Sequence, residues 1–160
     1  MGRLQKDHTM EKPKNSLDLY SSQILTLAGN IPLMDRLQHP DVTITKRSKL
    51  CGSTVTIDLK IKHGFISSYS HDVKACALGQ ASASILALDI VGKTGYEIME
   101  VRNAVVKMLN GSQYCHHLFP NYHILSPASQ FKNRHDSILL PLDATVEAIK
   151  NILLEKSASH

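Results

Sequence analysis

The chain has 160 residues, a length that favours one domain with a core of its own. Its formal net charge is +4, but the basic residues are scattered and aromatic residues make up only 5% of the chain. This combination argues against a nucleic-acid interface, and no apolar run reaches the roughly 20 residues that span a bilayer. The N-terminus also lacks a secretory apolar segment, so we expect a cytoplasmic protein that has neither nucleic acid nor a membrane as a partner.

The N-terminal half predicts one helix and then three strands. Residues 1–15 predict a disordered arm, after which Ser16 caps a helix that ends at Gly29. The apolar face of this helix consists of Leu17, Tyr20, Ile24 and Leu27. Residues 42–45 and 54–62 alternate as strands, with Asp58 on the polar face of the second. His63 and Gly64 predict a two-residue turn, from which residues 65–73 return as the partner strand.

The C-terminal half predicts helices. One covers residues 77–91, and a capping box of Thr94 and Glu97 opens a second that ends at Asn110. Residues 112–127 predict an irregular His-rich loop, followed by a short helix near residues 128–134. A last helix follows Ser137, with Pro141 confining its regular part to the residues beyond. Strands first and helices afterwards predict an α+β domain over residues 16–154, with a small three-stranded antiparallel sheet, helices on one face, and a tail over residues 155–160.

Two of the three cysteines bracket the predicted hairpin. In a hairpin that turns at residues 63–64, the residue numbers of each pair of cross-strand partners add up to the same value. The numbers of Cys51 and Cys76 also add up to this value. Opposed positions hold their Cβ atoms about 4.5–5.5 Å apart, which suits two thiolates that share a metal ion. Gly52 lets the backbone approach a ligand, and Cys76 starts a helix, where the helix dipole favours a thiolate. The spacing alone leaves two interpretations open, a metal site or two small buried residues of the core.

The cysteine segments KLCGSTVTIDLKI and HDVKACALGQASASILA resemble those of the IscU/SufU/NifU N-terminal type of iron–sulfur cluster assembly scaffold. The resemblance continues from GNIPLMDRL to FKNRHDSILLPLDATVEAI and covers residues 16–154. It implies the IscU/SufE-like fold and a protein that is no enzyme itself but holds a labile iron–sulfur cluster or zinc. It also implies two kinds of partner, a cysteine desulfurase that supplies sulfur and acceptor apo-proteins.

Two positions depart from the family pattern. Ser137 occupies the place of the family's third cysteine, and Ser53 the place of the Asp in its Cys-Gly-Asp motif. We expect Cys51 and Cys76 to bind the metal. His135 is a candidate third ligand, since imidazole suits zinc and iron; the alternative is a solvated surface residue. The candidates for a further ligand or gate are Asp136, Ser53 and Ser137.

Three hypotheses about function follow. The first is a scaffold that binds iron, cluster or zinc through the two cysteines and passes sulfur or cluster onward. The second is a zinc-containing sulfur relay that serves a cysteine desulfurase, and the third is a degenerate binding module without metal. A Cys–His hydrolase lacks any oxyanion signature beyond the helix start at Cys76. We interpret Cys115 as structural or incidental, and the other clustered histidines as surface residues, namely His116, His117 and His123.

Overall fold

The computed structural model describes residues 20–158, with side chains described through residue 155. The predicted arm over residues 1–15, the predicted cap at Ser16 and Leu17 lie outside the described residues. Helix α1 covers Ser22–Gly29. Ser21 caps it, because its hydroxyl accepts a hydrogen bond from the Ile24 N–H at 3.3 Å.

The sheet has three antiparallel strands in the order β1–β2–β3. They are β1 (Val42–Arg47), β2 (Thr54–Lys62) and β3 (Phe65–Lys74). Alternation along β2 buries one face completely, at Val55, Ile57 and Leu59. The predicted two-residue turn is confirmed, with His63 at a φ of 55° and Gly64 at 85°.

The helices that follow are α2 (Ala77–Asp89), α3 (Gly95–Leu109) and α4 (His135–Ala158). The capping box predicted for α3 is confirmed, since Thr94 and Glu97 exchange both hydrogen bonds. The predicted irregular region and short helix prove to be two 3₁₀ segments, Pro120–Gln130 and Lys132–Arg134. Helix α4 packs on β1, β2, α2 and α3, which confirms the α+β class and the three-stranded sheet. Within residues 20–158, every helix is too short or too polar to cross a membrane.

The predicted pairing of Cys51 with Cys76 across the hairpin is wrong. Lys60 pairs with Ser68 but Ile61 pairs with Ile66, so Ser67 is an extra residue in β3. This bulge shifts the register of the rest of the hairpin by one residue. Both cysteines also lie beyond the ends of the strands, so another part of the fold must bring them together.

The prediction that Pro141 confines the last helix to the residues beyond it is also wrong. Helix α4 begins at His135 and contains Pro141. Proline has no N–H to bond to the carbonyl four residues earlier, which belongs to Ser137. Ser137 therefore lies in the first turn of α4 rather than in a loop before it.

Candidate metal centre

Cys51 lies in the turn that joins β1 to β2. Two backbone hydrogen bonds close this turn, from the Ser48 N–H to the Ser53 carbonyl at 2.8 Å and from the Gly52 N–H to the Ser48 carbonyl at 2.9 Å. Gly52 has a φ of +75°, a left-handed conformation that glycine adopts without a steric penalty. The turn leaves the Cys51 side chain exposed at the end of the sheet.

Cys76 is the N-cap residue of α2, but its side chain makes no capping hydrogen bond. The side chain is half-buried, and its Sγ lies 3.1 Å from the Oγ of Ser137 in the first turn of α4. The start of α2 and the first turn of α4 thus lie next to each other, and the Cys76 thiol lies between them.

Ser137 lies beside Cys76 and also influences Cys51. Its hydroxyl is 3.1 Å from the Cys76 sulfur, and it is one of the hydroxyl groups that lower the pKa of the Cys51 thiol. On the other side, the Cys51 thiol donates to the Ser53 hydroxyl at 3.0 Å. Both serines are at least 95% buried, so two sulfurs and two hydroxyls converge at one end of the sheet. By the resemblance described above, Ser137 is expected at the position of the family's third cysteine.

These hydroxyls change the acidity of Cys51. Partial burial raises the pKa of the Cys51 thiol, but hydrogen bonding with Ser48, Ser53 and Ser137 outweighs burial, so the pKa lies below its ordinary value. The thiolate is the form of cysteine that binds metal ions and attacks sulfur. The site therefore favours the reactive form of its exposed thiol.

Gly79 allows α2 to approach Ser137 closely. A Cβ at this position would lie 2.7 Å from the Ser137 Oγ and 2.8 Å from the Ala75 Cβ, and 3.2 Å from the Ser137 carbonyl oxygen. No side chain fits in that space without moving a neighbour. The contact between Cys76 and Ser137 thus depends on the absence of a side chain one turn further along α2.

Asp136 holds the cysteine turn to α4. Its Oδ2 accepts a hydrogen bond of 3.0 Å from the Ser48 hydroxyl, and the same hydroxyl accepts a bond of 3.4 Å from the Cys51 N–H. Ser48 is a residue that the sequence analysis missed. Its position could have indicated this role, because Ser48 directly follows β1 and precedes Cys51 by three residues. Serine side chains often bond to the backbone of such turns.

His135 bonds to the preceding 3₁₀ segment. Its Nε2 donates to the Ala128 carbonyl oxygen at 3.0 Å, in the preceding 3₁₀ segment. Among the residues that the structure describes, no three side chains of His, Cys, Asp or Glu lie close enough together to hold a metal ion. His135 is therefore not gathered with Cys51 and Cys76 into a ready set of three. The convergent donors are two thiols and neighbouring hydroxyls, a set that fits a soft metal ion held through sulfur with positions left open.

The remaining cysteine lies elsewhere. Cys115 is exposed and lines a shallow depression with Glu100, Lys107 and His116. The His116 Nε2 lies 3.8 Å from a Glu100 carboxylate oxygen, a long contact. His123 bonds to the Pro120 carbonyl within its own 3₁₀ segment. These contacts are local ones, distant in sequence from the cysteine turn.

No protein-family model matches the sequence. Over 134 residues, the chain is 25% identical to the iron–sulfur cluster assembly scaffold protein IscU of Thermotoga maritima, an alignment that covers 84% of this chain and 94% of that protein.

Two solved structures have a similar fold. The N-terminal part of a nitrogen-fixing NifU-like protein from Brucella abortus superimposes with a TM-score of 0.82 at 40% identity, covering 84% of this chain and 94% of that one. A scaffold protein for the SUF system from Fervidobacterium islandicum AW-1 gives a TM-score of 0.78 at 20% identity, covering 84% and 99%. At 20% identity the likeness concerns the fold alone.

Proposed function

The chain belongs to the IscU/SufU/NifU N-terminal family of iron–sulfur cluster assembly scaffolds, and from this premise we propose that it holds a nascent cluster through Cys51 and Cys76 and passes it onward. Scaffolds of this family are not enzymes in themselves, and we assign this chain no catalysed reaction. Its chemistry is to bind, to protect and to release.

One observation carries the proposal, namely that the Ser137 hydroxyl lies 3.1 Å from the Cys76 sulfur and also lowers the pKa of the Cys51 thiol. Two thiolates on either side of one hydroxyl can bind the same metal ion or the same small cluster, since iron and zinc both favour sulfur ligands. The lowered pKa of the Cys51 thiol supports metal binding near neutral pH, because a protonated thiol must lose its proton before it binds.

We further propose that the cargo is held weakly. Ser53 and Ser137 supply neutral hydroxyls where the family pattern has an Asp and a third cysteine. Fewer negatively charged ligands stabilise a bound cation less, so a cluster here is labile, and zinc is an alternative occupant. The hydrogen bonds of Asp136 and His135 engage Oδ2 and Nε2, so Oδ1 and Nδ1 would be their ligand atoms. Both side chains become ligands only by moving closer to the thiols, since no three such side chains are gathered among the described residues.

The partners that we propose are a cysteine desulfurase, which supplies sulfur, and apo-proteins, which accept the cluster. The exposure of Cys51 supports this assignment, because a partner's sulfur can reach it directly. The same exposure favours a second candidate function, a zinc-containing relay in which Cys51 accepts sulfur from the desulfurase. A degenerate module without metal and a location in the cytoplasm stay predictions.

Metal analysis of protein purified without oxygen tests the proposal. We expect the parent chain and a Cys115→Ala control to bind zinc, and to develop visible absorbance with iron, sulfide and a desulfurase. Cys51→Ala and Cys76→Ala should do neither. Desulfurase stimulation without colour favours the zinc relay, and equal metal content in all four proteins rejects the site.

A further inference from the structure

A row of cations borders the cysteine turn. Arg47 of β1 pairs with Thr54 of β2, and Thr54 pairs with Lys74 of β3, so the two cations occupy one row across the end of the sheet. Neighbouring strands are about 4.8 Å apart, which separates the two backbones by roughly 10 Å. Lys49 in the cysteine turn adds a third cation. We call Arg47, Lys49 and Lys74 the basic arc.

The side chains of the basic arc are free to meet a partner. Arg47 and Lys49 are exposed, and the Lys74 side chain is 77% exposed. The nearby carboxylate of Asp72 lies 3.8 Å from the Lys74 ammonium and is itself half-exposed, so this ion pair is weak. The arc therefore keeps a positive potential at the end of the sheet.

Leu50 lies in the same turn, between Lys49 and Cys51. Its side chain is 74% exposed, more than any other large hydrophobic side chain in the described part of the chain. A lone exposed leucine is ordinary on a protein surface. This one adjoins a reactive thiol and has cations on its flank, which is the composition of a small interface with an apolar anchor and a polar rim.

We propose that Leu50 and the basic arc form the docking surface for the protein that supplies sulfur, and that this partner presents acidic side chains around an apolar socket. The inference rests on the proposed function, which requires a donor. Cys51 is the exposed member of the thiol pair, so incoming sulfur meets it before Cys76. Leu50 is the chain neighbour of Cys51, so a donor that brings its sulfur within bonding distance of Cys51 comes close to Leu50.

The charge of the donor surface follows from the same geometry. A protein seated over Cys51 lies within a Debye length, about 8 Å at physiological salt, of the basic arc. A basic partner is repelled there and an acidic one is attracted. The basic arc should raise the association rate constant by electrostatic steering. The apolar contact of Leu50 should lower the dissociation rate constant.

Binding kinetics with the cysteine desulfurase of the same organism test the proposal. We expect Lys49→Glu combined with Lys74→Glu to slow association about tenfold or more at low salt, and less at high salt. Leu50→Ala should speed dissociation about tenfold with little change in association. The matched control combines Lys60→Glu with Lys62→Glu, which reverses two charges on the same sheet face at the far end of β2.

An equal effect of the control pair overturns the proposal, because net charge alone then explains the binding. Unchanged kinetics in the arc and Leu50 variants overturn it as well, as does a parent chain that does not bind the desulfurase. Zinc content, measured on every protein, tests the proposed metal-binding function separately from the docking surface. If the parent holds no metal yet docks as described, the proposed function fails and the docking surface stands.

Discussion

Ser137 limits the number of thiolates that the site can offer. Its hydroxyl contacts the Cys76 sulfur, lowers the pKa of the Cys51 thiol and is almost completely buried. A hydroxyl stabilises a neighbouring thiolate by donating a hydrogen bond, but it brings no charge of its own. We therefore expect Ser137 to lower the affinity of the site for a cation relative to a cysteine at the same position.

A third thiol at this position should strengthen metal binding. We expect Ser137→Cys to raise zinc affinity by about tenfold or more, since changes around the first ligands alone alter affinity on that scale. Competition with a chromophoric chelator measures it. Ser84→Cys is the control, because this buried serine of α2 bonds to the Asn30 carbonyl instead. Equal affinities in the parent and Ser137→Cys would show that position 137 does not face the metal.

Asp58 is a buried charged residue on the face of β2 opposite to Val55, Ile57 and Leu59. Its carboxylate accepts hydrogen bonds from the Arg36 guanidinium, the Leu37 N–H and the hydroxyls of Thr43 and Ser70. Burial raises the pKa of Asp58, but these bonds outweigh burial and lower it to about 2. The carboxylate thereby fixes the loop before β1 to the outside of the sheet.

The stability that Asp58 contributes should depend on pH. Its folded pKa is depressed, so the contribution is complete above the unfolded value and is lost as the pH falls from about 4 to about 2. Asp58→Asn should lower the free energy of unfolding by about 2 kcal/mol at neutral pH and by much less near pH 2. Urea titrations across this range measure the difference. The exposed Asp35→Asn is the control, and a difference that stays constant with pH contradicts the assignment.

Alternation in β2 predicted the face on which Asp58 lies, but not its burial. Arg36 is 22 residues away in sequence, and no local pattern shows that it returns to cover a strand. His71 of β3 is buried in the same way, with its Nε2 bonded to the Pro32 carbonyl at 2.8 Å. Periodicity indicates which side chains share a face, whereas long-range contacts decide what covers them.

At the scale of elements, α2 and α4 are held together by polar contacts near the site. The Ser82 hydroxyl donates to the Ile138 carbonyl at 2.6 Å, and the Tyr122 hydroxyl bonds to Ser82 from the 3₁₀ segment. At Gly79 the two helices approach each other closely, since a Cβ there would lie 2.7 Å from the Ser137 Oγ. The distance between α2 and α4 therefore sets the geometry of Cys76.

A methyl group at position 79 should separate the helices. We expect Gly79→Ala to lower the free energy of unfolding by about 1–3 kcal/mol, as overpacking does, although alanine has the better helix propensity. Zinc affinity should fall with it, because Ser137 must move away from Cys76. Gly29→Ala is the control, since no atom lies within 4 Å of its Cβ position. Unfolding by urea measures stability, and an unchanged Gly79→Ala protein would contradict the close approach.

Helix and strand boundaries were predictable where a short sequence motif determines them. Thr94 and Glu97 form a capping box of four consecutive residues, and His63 and Gly64 complete a turn of two. The bulge at Ser67 and the start of α4 before Pro141 were not predictable. Each depends on packing between elements, which overrides the local rule that a hairpin stays in register or that proline begins a helix.

At the scale of the molecule, the candidate site joins the sheet to two helices. Cys51 belongs to the sheet turn, Cys76 to α2 and Ser137 to α4. The resemblance to the scaffold family predicted Cys51, Cys76 and His135 as ligands, and this set stays a prediction, since His135 bonds to the Ala128 carbonyl. A ligand bound by both cysteines links the sheet turn to α2, beside the first turn of α4.

Metal binding should therefore stabilise the whole domain. At free zinc about 100 times the dissociation constant, the gain is about 2.7 kcal/mol, equivalent to a rise of roughly 5–10 °C in Tm. Scanning calorimetry with and without zinc measures it. Cys51→Ala and Cys76→Ala should show no rise and Cys115→Ala the full rise; the same rise in all variants would place the zinc elsewhere.

The end of the strand ladder has a consequence for the candidate site. The last pair of β2 and β3 is Thr54 with Lys74, so Cys51 lies beyond it in a turn and Cys76 beyond it at the start of α2. A change in the distance between the two sulfurs therefore requires no break in strand pairing. We expect the turn and the helix start to adjust to bound groups of different size while the sheet stays intact.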